Sequence, residues 1–212
     1  KAMDGPINFG ENDSFWGLLI EGFTPPSYGM NYNFPYYQKF FVNYGFKKEY
    51  EQITNHLQVR NPFPERFTKI ANWVANKPGY TFEHFSKKNA EKYVADLMEI
   101  YNDGWQDFES FVPIKKETLL ESFKKMATIM DEKLIWFAYL NGEPASFVVI
   151  IPDANQMIKD FQGKLGLIEK IKFVYRRWKG VNRMRAIVMG TKTSYQKLGL
   201  ESALFIKLKE YV

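Results

Sequence analysis

The chain has 212 residues, 45% apolar and 17% aromatic, with a net charge of +5, enough length for one large or two small domains. It has no cysteine, which excludes disulfides, thiolate catalysis and Cys-ligated metals, and two isolated histidines, His56 and His84, cannot alone build a common zinc site. No apolar run approaches the roughly 18 residues of a membrane span, and no N-terminal stretch has the basic–apolar–small layout of a secretory signal. A Walker loop, a hydrolase nucleophile elbow and a dinucleotide-binding Gly-x-Gly-x-x-Gly are all missing. The expectation is therefore a cytoplasmic protein without a metal centre or a transmembrane segment.

Residues 17–23 read as a strand, and residues 36–44 as a helix that stops at Gly45-Phe46, with glycine at the C-terminal stop. Residues 47–53 read as the strand after it. Arg60-Asn61-Pro62-Phe63-Pro64 is the best linker candidate, because two prolines in three residues oppose both helix and sheet. Residues 80–85 alternate like a strand, and Ser86 is placed to cap a helix running to about Tyr101. A further helix is expected over 116–130, carried by Leu119, Leu120, Phe123, Met126, Ile129 and Met130. Two apolar β-prone runs, 134–140 and 144–151, are joined by Asn141-Gly142, the strongest short-range hairpin signal.

Between 164 and 185 lie Lys164, Lys170, Lys172, Arg176, Arg177, Lys179, Arg183 and Arg185, with Glu169 the single acid. Leu167, Ile168, Ile171, Val174, Tyr175 and Trp178 recur through the same stretch at helical spacing, which predicts an amphipathic helix. The leading reading packs its apolar face against the sheet and leaves its basic face solvated. The others are a basic wall beside an anionic ligand, an anionic membrane surface and, with no accompanying motif, nucleic acid.

The last apolar strand, Ala186-Ile187-Val188-Met189, continues through Gly190 and Thr191 into a polar loop, and a helix then opens near Gly199 with Leu200, Leu204 and Leu208 in step. Such a strand–loop–helix device can hold phosphate, because the first helical turn leaves N–H groups unpaired and carries positive dipole. Its Gln196-x-x-Gly199 core resembles the acyl-CoA loop of GNAT-type N-acyltransferases, whose usual pattern is Gln/Arg-x-x-Gly-x-Gly/Ala after the fourth strand. The order strand, helix, helix, hairpin, strand, loop, helix over residues 78–212 is similar to the opening half of that fold, and Gly142-Glu143-Pro144-Ala145-Ser146 looks like the family's Gly-x-Pro-x-Gly/Ala pattern leading into its third strand. The resemblance implies that Met189, Gly190, Thr191, Gln196, Lys197, Leu198, Gly199, Leu200 and Glu201 would hold the cosubstrate, acetyl-CoA or another acyl-CoA. Glu201 and Lys197 depart from the pattern, the first where a small residue is usual and the second where glycine is common; Thr193 replaces a common proline.

Residues 17–53 are similar to the closing half of the same fold. With the phrases Gly5-Pro6-Ile7-Asn8-Phe9, Leu18-Leu19-Ile20-Glu21-Gly22-Phe23 and Tyr32-Asn33-Phe34-Pro35-Tyr36-Tyr37, the chain resembles a little-characterised group of bacterial tandem GNAT-like proteins. The implied fold class is α/β (α+β): a mixed, mostly antiparallel sheet flanked by helices, in tandem, with both copies incomplete. Residues 1–60 would be the C-terminal half of a first domain, 61–65 a linker and 66–212 the N-terminal part of a second. Residues 1–60 would pack as a remnant of their own domain; the alternative is that they complete the second domain's sheet.

The implied activity is acyl transfer from acyl-CoA to an unidentified small amine or peptide amine, with no nucleic-acid partner. The alternatives are a non-catalytic GNAT-like module that binds a ligand or a protein, and a structural first domain supporting an active second one. Acid and base stay unassigned. The strand ahead of the loop carries no carboxylate, Phe41 stands where family members often carry a proton-donating tyrosine, and Tyr37 and Tyr44 are off register. Tyr101, Asp107 and Glu109 lie near the position of a family acceptor pocket but read more simply as surface or packing residues. Trp105 and Phe108 read as core or pocket wall, Phe15-Trp16 and Phe34-Pro35-Tyr36-Tyr37 as an acceptor wall or interdomain packing, and His84 as a satisfied histidine on a strand.

Overall fold

The computed structural model describes residues 3, 5, 6, 17–107 and 111–212. The phrase at 7–9, Phe15-Trp16, Phe108 and Glu109 lie outside the described residues. The chain divides into two compact units, one of residues 1–57 with 153–183, the other of residues 58–152 with 184–212.

The second unit is built on a four-stranded sheet in the order β1-β2-β3-β4, with β1 Tyr80–His84, β2 Ile135–Leu140, β3 Glu143–Pro152 and β4 Met184–Thr191. Every neighbouring pair is antiparallel. The predicted hairpin is present, its turn carried by Asn141 at φ 52° and Gly142 at φ 87°, the left-handed pair that this tight connection needs. Period-two alternation sends Ile135, Phe137, Tyr139, Phe147 and Val149 into one core with Val94, Leu97 and Ile100 of helix α3 (Ala90–Gly104) and with Leu119 and Phe123 of α4 (Lys116–Met126). Ala138, Ala145 and Val148 enter the opposite core with Val74 of α2 (Glu65–Ala75) and Leu200, Ala203, Leu204 and Leu208 of α7 (Leu200–Tyr211). The unit is thus three layers, helices on both faces of one sheet. Ladder irregularities fall between Ala138 and Tyr139 and between Val149 and Ile150.

Two helix boundaries differ from the sequence reading. Ser86 is extended and makes no side-chain cap; Lys87 N–H donates instead to Glu132, and α3 proper begins after a 3₁₀ turn at Lys87–Asn89. Helix α4 stops at Met126, and Met130 reaches the core through a turn whose amide donates to the Met126 carbonyl. Across α3 and the sheet edge runs a polar cluster. Lys92 Nζ donates to the Tyr139 hydroxyl at 2.7 Å, Tyr139 donates to Asp96 at 2.7 Å, and Tyr93 donates to Glu83 at 3.2 Å. Burial, followed by the charge and hydrogen bond of Glu83, pushes the Tyr93 phenol up to about 12. Burial, followed by the hydrogen bond to Asp96, raises Tyr139 further.

In the first unit, α1 (Tyr37–Tyr44) ends at Gly45 in the left-handed region, φ 104°. Phe46 N–H reaches the Phe41 carbonyl, Gly45 N–H reaches the Val42 carbonyl, and the Phe41 and Phe46 rings meet at 5.2 Å, so the Gly-Phe stop is a Schellman closure with its apolar contact. The strands expected over 17–23 and 47–53 are not formed. A lone extended segment leaves its amides without a ladder, and Asn33 answers that need locally: its side chain accepts from Leu19 N–H and donates to Leu19 C=O.

The same unit holds α5 (Ala154–Ile158) and α6 (Leu167–Lys179). The chain leaves the sheet at Pro152, which faces Met184, and Asp153 N–H then donates to the Arg183 carbonyl at 2.9 Å. The Asp153 carboxylate is fully buried and accepts from Arg183 Nε at 2.6 Å and from the backbone N–H groups of Tyr28 and Asn155. Arg183 also donates to the carbonyls of Pro25 and Pro26. Helix α6 forms as its periodicity predicts, but its apolar stripe does not pack as the leading expectation had it: no residue of the helix is buried, and Leu167, Ile168, Ile171, Val174, Tyr175 and Trp178 are exposed.

Candidate functional site

Strand β4 is the last strand of the sheet order, so one of its edges carries no ladder partner in that order. Its pairing with β3 runs Ser146↔Thr191, Phe147↔Gly190, Val148↔Met189 and Val149↔Val188, then skips Ile187 before Ile150↔Ala186. A bulge of this kind bends a strand and re-aims its backbone groups. Met189 and Gly190 are half-buried, and Thr191 is buried at the strand's end.

Gly190 is closely packed on its α-carbon side. A Cβ there would stand 3.0 Å from Phe147 and 3.3 Å from the Trp105 indole nitrogen. Trp105 thus meets the loop strand and stacks on Tyr101 with centroids 5.6 Å apart, while Asp107 is exposed. The C-terminal turns of α3 fasten the start of the loop. Thr193 N–H donates to the Asp103 carboxylate at 2.6 Å, and the Lys192 ammonium pairs with Glu99. Sequence reasoning missed Asp103, and its only trace there is an acid near a helix end.

The loop leaves β4 through a 3₁₀ turn at Thr193–Tyr195 and reaches α7 by way of Gln196, Lys197, Leu198 and Gly199. Lys197 sits at φ 64° and Gly199 at φ 81°, both left-handed. Glycine is therefore the unstrained residue at position 197 as well, which is the physical reason that a lysine there is unusual. Gln196 and Lys197 are exposed, as is Leu198, and Lys197 forms no salt bridge among the described residues.

Gly199 is the N-cap of α7, with no side chain capping that terminus. Its α-carbon side does not face an open groove, however: a Cβ would stand 3.2 Å from methyl groups of both Ile70 and Val74. Leu200 is fully buried in the α2–α7 core.

Glu201 is held away from the loop mouth. It accepts from Thr191 Oγ1 at 2.6 Å, and Thr191 in turn lies 2.8 Å from the buried Ser146 hydroxyl, which also bonds the Gly190 carbonyl at 2.9 Å. The carboxylate that departs from the sequence pattern is thus occupied within the fold, in a relay that sequence reasoning did not find. Ser146 was visible only as the last residue of the Gly-x-Pro-x-Ser stretch.

The tyrosines of the first unit gather no such surroundings. Tyr37 and Tyr44 are exposed on α1, Tyr37 within a ladder of rings from Phe34 through Tyr36 to Phe40 and Tyr44 stacked on Phe46. His84 donates from Nδ1 to the Phe85 carbonyl at 2.8 Å and lies edge-on to Trp136, a satisfied histidine. Among the described residues no three His, Cys, Asp or Glu side chains converge as a metal site, and no helix is long and apolar enough to cross a membrane.

No known family profile matches the chain. It is 29% identical over 197 residues to the bacterial ceramide synthase of Caulobacter vibrioides (strain NA1000), covering 91% of this chain and 50% of that protein. It is 27% identical over 199 residues to Protein YghO of Escherichia coli K12, covering 92% and 50%. The chain spans about half the length of these curated relatives. A candidate acetyltransferase of Pyrococcus horikoshii aligns at 16% identity with a TM-score of 0.40 over 74% of this chain and 38% of that one, a likeness too distant to carry an argument.

Proposed function

We propose that the chain contributes to an acyl-CoA-dependent N-acyltransferase of GNAT type, with the loop between β4 and α7 as its cosubstrate site. The observation that carries this reading is the unpaired, bulged edge of β4 leading through an exposed lysine to a helix terminus that no side chain caps. An uncapped helix start offers N–H donors and positive dipole to an anion, and Lys197 adds a cation on a long stem. With Glu201 engaged by Thr191, the residues present fit a pyrophosphate at the loop mouth. Met189, Gly190 and Thr191 would flank the pantetheine arm, and the backbone of Gln196, Lys197, Leu198, Gly199, Leu200 and Glu201 would surround the phosphates, with the Glu201 carboxylate turned to Thr191.

The likeness to a ceramide synthase supports the reaction class. A ceramide is the amide of a fatty acid with a long-chain amino alcohol, so making one forms an N-acyl bond. In such a transfer the amine nitrogen attacks the thioester carbonyl, the C–N bond forms as the C–S bond breaks, and the amine proton is lost as the thiolate gains one. A long-chain amino alcohol joins the small amine or peptide amine as the acceptor. Within the chain, the polar backbone of β4 is suited to orient the thioester oxygen.

A second reading has its own support. Gly199 and Leu200 are locked into the α2–α7 core and Glu201 into the Thr191–Ser146 relay, so the loop holds its shape without a ligand, as a binding module with no catalytic role would. Calorimetry of the intact protein with acetyl-CoA and with a long-chain acyl-CoA, paired with a thiol-release assay in the presence of amine, separates the two. Binding with thiol release supports the transferase, and binding without release supports the module. Absence of heat with every acyl-CoA overturns both as acyl-CoA sites. Lys197→Ala should weaken acyl-CoA binding on the order of tenfold, the loss of one charge-assisted hydrogen bond.

A further inference from the structure

Helix α6 is amphipathic in the reverse sense from a helix that feeds a core. Its partly buried residues are Glu169, Phe173 and Arg176, and Arg176 is tied inward, donating to the Met157 carbonyl at 2.9 Å and to Asp160 at 2.5 Å. Six other apolar side chains are exposed: Leu167 is 76% exposed, Ile168 66%, Ile171 61%, Val174 65%, Tyr175 57% and Trp178 82%. At about 100° per residue these six share one arc of roughly 120°. Folding left this stripe in water although the helix had a face to bury.

The flanks of the stripe are equally ordered. The same rotation puts Lys170 and Arg177 along one border and Lys172 and Lys179 along the other. All four are exposed, and the single acid, Glu169, lies on the inward side. An apolar centre with an aromatic pair, edged on both sides by cations on long stems, matches the boundary between lipid headgroups and acyl chains. There the apolar residues sink in, the aromatic rings sit at the boundary, and the cations reach up to phosphate.

We infer that α6 is a membrane-interface helix that seats the protein on an anionic bilayer. Charge complementarity selects this occupant: exposed Lys170 on one border and exposed Lys172 and Lys179 on the other have no acid among them, and negative headgroups meet them on both sides of the stripe at once. A nucleic-acid backbone would satisfy the cations but leave six apolar side chains in water. A second copy of the chain would bring the same cations together. The inference is independent of the acyl-CoA reading, since it concerns residues outside the β4–α7 loop.

The test is flotation of the protein with phosphatidylcholine vesicles, with and without phosphatidylglycerol. The protein should float with the anionic vesicles, float far less with phosphatidylcholine alone, and lose binding as salt rises. The double variant Ile171→Glu/Trp178→Glu should lower partitioning by more than tenfold, and Lys170→Glu/Lys172→Glu by on the order of tenfold. All four positions are exposed, so thermal unfolding should match the parent, and a matched melt shows that the variants are folded. Absence of flotation, or equal flotation by parent and Ile171→Glu/Trp178→Glu, overturns the proposal. So does a concentration-dependent dimer, seen by sedimentation and abolished by that double variant, in a protein that ignores vesicles; the stripe would then pair copies of the chain.

Discussion

Lys197 holds a left-handed backbone, φ 64°, that an L side chain adopts at a cost near 1 kcal/mol. Lys197→Gly should therefore raise stability by up to about 1 kcal/mol, read as a higher urea midpoint at unchanged slope, while weakening whatever anion the loop accepts. The opposite behaviour is expected at the end of α3. A Cβ on Gly104 would stand 2.6 Å from the Thr191 carbonyl oxygen, a backbone atom that cannot swing aside. Gly104→Ala should then destabilise the second unit by about 1–3 kcal/mol through overpacking, measured by thermal melting, even though alanine is ordinarily the better helix former. A melt equal to the parent's would show that α3 and β4 are not in such close register.

Among the elements, the seam between α3 and the β1–β2 edge should make the protein sensitive to alkali. Tyr93 is pushed up to about 12 and Tyr139 is raised as well, both by burial first and by neighbouring carboxylates second. The folded state thus binds these protons more tightly than the unfolded chain, whose tyrosines titrate near 10. Their stabilisation is complete below about pH 10 and is lost as pH rises from there through about 12. Melting temperature should fall across that window, and more shallowly in Tyr93→Phe/Tyr139→Phe, whose rings keep their packing; an unchanged slope would refute the assignment.

The sheet was legible because its signals are local. Asn141-Gly142 dictates its own turn, and the alternation in β2 and β3 comes from having a face on each core. Gly45-Phe46 was legible for the same reason, since a Schellman closure needs only neighbours in sequence. The features that stayed hidden depend on partners distant in the chain. The strands expected at 17–23 and 47–53 have the right residue types but no ladder to join, and Asn33 could not be foreseen as the partner of Leu19. Periodicity placed the α6 stripe correctly on one arc, yet it carries no information about which way that arc points. The relay from Glu201 through Thr191 to Ser146 joins three elements and left no pattern in any one of them.

At the scale of the whole chain, burial is unevenly shared. Of the buried apolar residues among those described, only Ala154, Met157 and Phe161 belong to the first unit, and the rest lie in the second. Amide exchange tracks the free energy of local opening, so peptides covering 135–151 should exchange slowest and those covering 17–57 fastest by a wide margin. Similar protection in both would contradict this distribution. Residues 153–183 also have a topological consequence. The segment departs where Pro152 faces Met184, and its first amide bonds its last carbonyl, so its two ends stand one ladder rung apart. To the sheet it is an ornament on a hairpin, whose interior can lengthen, shrink or change sequence without removing a single rung between β3 and β4. Replacing 153–183 with Asn-Gly should leave that hairpin's circular-dichroism signature and the β4–α7 loop in place while deleting the α6 stripe. Sequence change in this insert is thereby uncoupled from the ladder between β3 and β4.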